Sequence, residues 1–301
     1  MTLHELLAAV RRVEVRTNRL VNDMMVGAYL SHFKGRGMDF EELRDYIPGD
    51  DVRDIDWNVT YRMARPFVKR YREERELGMV LAVDVSASGA FGSARRSKRE
   101  FAVEVAATLA FSAARSSDKV GLLLFTDQVE LFLPPRKGRR HILRMIREML
   151  DFQPKRRGTG ISGALGFLNH VLQRRSIIFL LTDFLHSFGA AAAGRDTVQE
   201  IGMTNANHDL ICIHLHDPRV SQLPNAGLLT IEDAETGELL ELDSARATVR
   251  QAYAETNAER LADLDRALRR AGVDTLRFNT HEPYAYTLQR FFETRRGRRR
   301  G

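Results

Sequence analysis

The chain has one cysteine and one tryptophan in 301 residues. It also lacks any long apolar run. The lone Cys212 lies in the apolar segment DLICIHL, which excludes a disulfide framework or thiolate metal cluster and reads as an inert core thiol. The longest apolar runs, such as Ile177 to Leu181, fall far short of the ~20 residues needed to cross a bilayer. The opening MTLHELLAAVRRVEVRTNRL is interrupted by Glu5, Arg11, Arg12 and Glu14, so it lacks the apolar centre of a secretory signal. The expectation is therefore a cytoplasmic protein with no membrane span. There is no G-x-x-x-x-G-K-S/T phosphate loop, no G-x-S-x-G elbow and no H-E-x-x-H pair, which argues against an enzyme of those kinds.

What is present is ordinary in bulk, with 44% hydrophobic and 29% charged residues. The net charge of +6 comes mainly from arginine, part of it in the terminal RRGRRRG, which reads as a solvated end. Aromatic residues are not interleaved with the basic runs as in a stacking platform, so nucleic acid is not the expected partner.

The informative stretch is GMVLAVDVSAS, residues 78–88. Its aliphatic run predicts a strand buried on both faces, and Asp84, Ser86 and Ser88 fall at or just past its C-terminal end, where open α/β sheets place ligands. Thr159 in RGTGISGAL precedes a predicted helix, and Asp183 ends a second buried strand, SIIFLLTDF. Three hydroxyls and two carboxylates form an all-oxygen set suited to a hard divalent cation, magnesium first and manganese as the alternative. Ser86 and Ser88, two apart in an extended loop, point to the same side.

Elsewhere the pattern alternates strand and helix. An amphipathic helix is predicted over 2–28, with Thr2 and Glu5 at capping-box spacing, followed by short extended pieces to residue 77. A helix from about Ser97 to Arg115 opens on the pair Ser97 and Glu100. KVGLLLF and VELFL flank the turn 126–128 as an antiparallel hairpin. Helices near 138–151 and 161–174, strands 176–182 and DLICIHL, and a hairpin turned at Thr236-Gly237 come next. A helix over 244–271, the strand DTLRF and a helix near 283–295 complete the chain. This alternation predicts a mostly parallel α/β sheet covered on both faces. The predicted organisation is an extension over 1–77 packed on a main domain at 78–295, with a basic tail at 296–301.

The Asp-x-Ser-x-Ser, Thr and Asp pieces, in this order, resemble the metal-ion-dependent adhesion site of a von Willebrand factor A domain. A narrower resemblance covers nearly the whole chain. GRGMDFEELRDYIPGDDVRDIDWNVTYRMARPFVKRYREERE (35–76), DPRVSQLPNAGLLTIEDAETGELLELD (217–243) and the ending LQRFFETRR are similar to the bacterial Domain of Unknown Function 58 family, whose members are typically encoded beside MoxR-type AAA+ ATPases. The resemblance implies a three-layer von Willebrand factor A-like fold with one antiparallel edge strand. It also implies a metal position completed by an aspartate or glutamate of a partner protein. The expected function is thus a non-enzymatic adaptor working with a MoxR-type ATPase on a client of acidic surface. A magnesium-dependent hydrolase on the same sheet and a nucleic-acid-binding scaffold are the alternatives.

Basic residues support an acidic partner. Arg95, Arg96, Lys98 and Arg99 surround the start of the helix after the metal loop, and Lys155, Arg156 and Arg157 run up to Thr159, so both groups are expected to rim the metal face. Arg136, Lys137, Arg139 and Arg140 are expected on the opposite face. In LRDYIPGDDVRDIDW the ligand spacing and closing Glu of an EF-hand are absent, and the expectation is structural, with Trp57 buried and Arg53 paired to a carboxylate, a second partner surface being the alternative. His214 and His216 read as core packing, and His186 is the one histidine close in sequence to a candidate ligand. Two positions depart from the resembled patterns: Gly89, where relatives often carry Met, and Phe184, where von Willebrand domains often carry Gly.

Overall fold

Strand Gly78–Asp84 (β3) lies at the heart of a six-stranded sheet ordered β10-β7-β6-β3-β4-β5. The structure is a computed structural model that describes residues 3–20, 38–73, 78–93, 96–185 and 191–298. The neighbours of β3 are β4 (Lys119–Phe125) and β6 (Ile177–Thr182), both parallel to it. Beyond β6 come β7 (Asp209–His216) and β10 (Asp274–Asn279), also parallel, while β5 (Val129–Arg136) returns antiparallel on the other edge. The edge follows from the short 126–128 turn, which is too brief for the crossover that a parallel strand requires. No helix among the described residues is long and apolar enough to cross a membrane.

The period-two alternation of the central strands feeds two separate cores. Met79, Leu81 and Val83 of β3 and Ile177, Phe179 and Leu181 of β6 face one helical layer. That layer comprises α1 (Leu3–Leu20), α3 (Lys98–Arg115), α4 (Arg139–Asp151) and α9 (Tyr284–Arg298). Val80 and Ala82 with Ile178 and Leu180 face the other, built from α5 (Ile161–Val171), α6 (Ala191–Asn207) and, after the short α7 (Pro218–Ser221), α8 (Ala247–Arg270). The result is a three-layer α/β domain with one antiparallel edge strand, the architecture that the resemblance implies. Each fully buried side chain such as Phe179 contributes on the order of 2–3 kcal/mol.

Helix α6 occupies a stretch to which the sequence pattern assigns no element, because Gly194, Gly202 and a Thr-Asn-rich end weaken the helical signal. The last helix continues to Arg298, so the beginning of the basic run 296–301 is helical and only 299–301 lie outside the described residues. Outside them too are Thr2 with its predicted cap, residues 21–28 of the first predicted helix, Arg95 and His186.

Helix α1 is tied to the main layer by Val10 in the core and by ion pairs from Glu14 to Arg139 and from Arg16 to Glu104. The rest of the described N-terminal region forms its own small unit. Strands β1 (Met38–Asp45) and β2 (Phe67–Glu73) pair antiparallel, with a 3-10 turn at Val52–Asp54 and helix α2 (Trp57–Met63) between them. Its charges are local staples: Arg44 grips Asp50 with two hydrogen bonds of 2.9 and 2.7 Å, Asp51 caps the 3-10 turn and pairs with Arg53, and Asp56 caps α2.

Trp57 corrects the expectation of burial, being 68% exposed, and Tyr61 one turn later is 90% exposed. The reason is that α2 turns its Val59–Thr60 side toward β2, where Thr60 Oγ1 accepts the Phe67 N–H at 3.0 Å, leaving the i, i+4 pair Trp57 and Tyr61 on the outer face. Since Trp57 is the chain's single tryptophan, the native protein should show solvent-like, red-shifted indole emission that acrylamide quenches readily. A blue-shifted, poorly quenched emission would contradict this placement.

Candidate metal centre

Strand β3 connects through α3 on one face of the sheet and β6 through α6 on the other, so the crevice between their C-terminal ends is the switch point of this sheet. Asp84 closes β3 and Asp183 follows β6, which puts two carboxylates into that crevice. The strand period sorts them. Asp84 continues the even series that faces α5, whereas Asp183 continues the odd series that faces α3.

On the α5 side the partners of Asp84 are hydroxyls and a backbone N–H. Thr182 Oγ1 donates to its carboxylate at 2.6 Å, the Ser86 N–H at 2.9 Å, and Thr159 Oγ1 stands at 3.5 Å. A 3-10 turn at Ala87–Ala90 follows Ser86, and the Ser86 and Ser88 hydroxyls lie 3.0 Å apart, both buried. Ser86 serves Asp84 and Ser88 reaches Asp183. The Thr159 loop is held against this turn by the Ala87 N–H donating to the Arg157 carbonyl at 3.0 Å. It is held against the β4–β5 turn by the Gly160 N–H donating to the Thr126 carbonyl at 2.8 Å. A side chain at position 160 would meet the Asp127 backbone at 2.9 Å, which is why Thr159 is followed by glycine.

On the α3 side Asp183 forms a buried ion pair with the ammonium of Lys98. Lys98 is therefore inside the site, which corrects its expected place on the rim. It is the first residue of α3, between the capping pair Ser97 and Glu100, and that cap fixes where its side chain starts. Burial raises the Asp183 carboxyl, but the Lys98 charge and hydrogen bonds outweigh it and hold the group below the usual carboxylate range. Asp84 goes the other way. Burial, then the neighbouring Asp183 charge, push it up from 3.8 to about 6, and no ion pair to Asp84 occurs among the described residues.

A cavity of about 10 Å³ separates the two carboxylates, lined also by Ser88, Thr182 and Lys98. That is room for a single water-sized occupant. Among the described residues no group of three or more His, Cys, Asp and Glu side chains converges on a metal position, so hydroxyls dominate the donors. This set fits a hard cation of small radius and does not fit zinc or copper.

The five sequence-predicted ligands thus converge, with Asp183 already engaged by Lys98. Of the predicted rim, Lys155, Arg156 and Arg157 are exposed on the loop before Thr159. Arg96 instead pairs with Glu104 and stacks 4.3 Å from the Phe101 ring centroid, while Arg99 donates to the Met149 and Phe152 carbonyls. Those two are packing residues: Arg96 lies along the first turns of α3 itself, and Arg99 reaches across to the C-terminal end of α4. Phe184 takes a left-handed φ of +53°, strained for a side-chain-bearing residue, and its buried ring packs edge-on against His214.

Sequence reasoning missed three participants: Lys98 as an internal cation, Thr182 as the donor to Asp84, and Glu235, which accepts the Thr159 hydroxyl at 2.7 Å and the Thr159 N–H at 3.2 Å. The strand period alone would have placed Thr182 beside Asp84. No local signal marks the other two.

The raised Asp84 pKa fixes the sign of a pH dependence. Between 3.8 and about 6 the folded state keeps a proton that the unfolded chain releases, so the stability contributed is complete at low pH and is lost as pH rises through about 6. Without divalent metal, Asp84→Asn should therefore stabilise the protein at pH 7.5 by up to ~3 kcal/mol and be near neutral at pH 4. Urea unfolding in chelator at both pH values measures this; a variant equally destabilised at both would contradict the assignment.

Residues 42–263 match the family described as "Protein of unknown function DUF58". An uncharacterized protein of Mycobacterium tuberculosis, Rv1480, is 31% identical over 294 residues, covering 97% of this chain and 90% of that protein. Among solved structures, an aerotolerance-related membrane protein from Bacteroides fragilis superposes with TM-score 0.47 at 14% identity, over 74% of this chain and 99% of that one. BatB from Bacteroides thetaiotaomicron gives 0.45 at 13% identity, over 73% of this chain and 98% of that one. The family match spans most of the sequence and the mycobacterial relative aligns nearly end to end, so the chain belongs to the DUF58 family.

Proposed function

We propose that this protein is a non-enzymatic, metal-dependent adaptor that grips a partner protein through the Asp84 crevice. The observation that carries the reading is the buried Asp84 carboxylate, ringed by hydroxyls and without a cationic side chain among the described residues. Magnesium, or manganese, bound there would supply a positive attachment point for a carboxylate from outside. Asp84, Ser86, Ser88 and Thr159 would hold it, and Asp183 would join as Lys98 releases it. Lys98 meanwhile keeps Asp183 ionised, so the two carboxylates do not share one proton.

The exposed Lys155, Arg156 and Arg157 add positive potential beside the crevice, and Glu130 fixes the start of that run by accepting the Lys155 N–H at 3.2 Å. An acidic partner surface matches this charge. The family resemblance supplies the biological setting, a MoxR-type AAA+ ATPase acting on a client of acidic surface. The adaptor reading is favoured over hydrolysis because His214, which packs on Phe184 next to Asp183, is buried and pushed down to about 3 by desolvation, with the Arg277 charge adding to it. A group so poorly basic and sealed from solvent is unsuited to activating water.

Two measurements test the proposal. Magnesium or manganese at millimolar concentration should raise the melting temperature of wild type, increasingly with concentration, and Asp84→Ala should abolish the effect. Equal shifts in both proteins would sink the metal assignment. With the purified ATPase as ligand, reversing Arg156 and Arg157 to Glu should slow association and flatten its salt dependence, while Arg140→Glu, expected at the other end of the sheet, should matter little. Similar losses from both would point to a general charge effect.

A further inference from the structure

The site contains an acidic side chain that the adaptor reading does not use. Hairpin β8 (Leu228–Glu232) and β9 (Leu239–Asp243) forms a two-stranded sheet of its own, apart from the central sheet. Its turn is locally determined: Asp233 Oδ1 accepts the N–H groups of Glu235 and Thr236, each at 2.9 Å, and Gly237 takes a left-handed φ of +76°. This turn aims Glu235 at the Thr159 loop, where its carboxylate accepts both the hydroxyl and the N–H of Thr159. It stands one hydroxyl removed from Asp84.

We propose that Glu235 is the in-chain counterpart of the partner's acid: it clamps Thr159, completes the charge of the cation site, and must withdraw with its hairpin before an external carboxylate can enter. The inference rests on the metal reading above. Asp84, Asp183 and Glu235 against the ammonium of Lys98 leave two negative charges, which one divalent cation neutralises. With Glu235 withdrawn, one negative charge is missing, and a carboxylate on a partner restores it. The chemistry selected is an Asp or Glu side chain presented on a projecting turn, as Glu235 itself is. The contact is also built to be broken. It joins a hairpin none of whose residues belongs to either core to a loop held by the central sheet, so the hairpin can leave without disturbing those cores.

The test uses the full chain and manganese, with free Mn²⁺ followed by electron paramagnetic resonance and residues 228–243 followed by amide exchange. In chelator, Glu235→Gln should speed exchange in the hairpin, since the carboxylate clamp on Thr159 is weakened whether or not metal is present. With Mn²⁺, wild type should slow that exchange, whereas Glu235→Gln should not and should bind Mn²⁺ about tenfold more weakly. In Glu235→Ala, acetate should restore Mn²⁺ affinity and equal chloride should not, because a free carboxylate can take the vacated place. Unchanged Mn²⁺ affinity and unchanged exchange in Glu235→Gln would overturn the role of Glu235 while Asp84→Ala still abolished binding. Undiminished Mn²⁺ binding by Asp84→Ala would instead overturn the metal reading beneath it. Circular dichroism of each variant guards against a misfolded result.

Discussion

Two carboxylates buried side by side at neighbouring strand ends cannot both be left ionised without compensation, and the structure around them answers that constraint. Asp183 receives a tethered cation, Lys98, while Asp84 receives hydroxyls and one backbone N–H. The asymmetry originates in the sheet itself, whose pleat turns one acid toward α3 and the other toward α5. One acid is therefore neutralised within the chain, and the other has no cationic side chain beside it among the described residues. An ammonium on both would have made a purely structural ion-pair cluster.

The same division explains why the loops matter more than the strands for what binds. The 3-10 turn after Ser86, the close approach of Gly160 to Asp127, and the Ala87 to Arg157 backbone bond lock the hydroxyls to one another. Glu235 arrives on a separate hairpin with its own hydrogen-bonded turn. The donor set is thus held by the central sheet, while the acid that meets Thr159 comes from a separate two-stranded sheet. The N-terminal unit follows a different logic. Asp50, Asp51 and Asp56 are used on caps and on Arg44 and Arg53, and its apolar side chains Trp57, Tyr61, Val52 and Ile47 are left exposed.

Most of the fold was legible in the sequence. Continuous apolar runs specified buried parallel strands, the three-residue turn after Phe125 specified the antiparallel edge, and Ser97 with Glu100 specified the start of α3. The five oxygen donors were legible for the same reason, since each stands at a strand end or before a helix where local pattern predicts its position. Helix α6 was not legible, because its glycines and polar end mask the helical period that burial of Ile201 and Thr204 enforces.

Spacing along the chain determined which residues reach the C-terminal edge of the sheet, since strand period and turn chemistry are local properties. It did not determine their partners. Lys98 and Asp183 are 85 residues apart, Thr159 and Glu235 76 apart, and each pair is made only when crossovers on opposite faces bring those segments together. A lysine at a helix start reads as a surface charge, and an acid in a hairpin turn as a solvated one. Only the packed tertiary structure turned the first into an internal cation and the second into a cap on the site, because charge pairing in a crevice depends on distance in space and on desolvation, neither of which a local pattern carries.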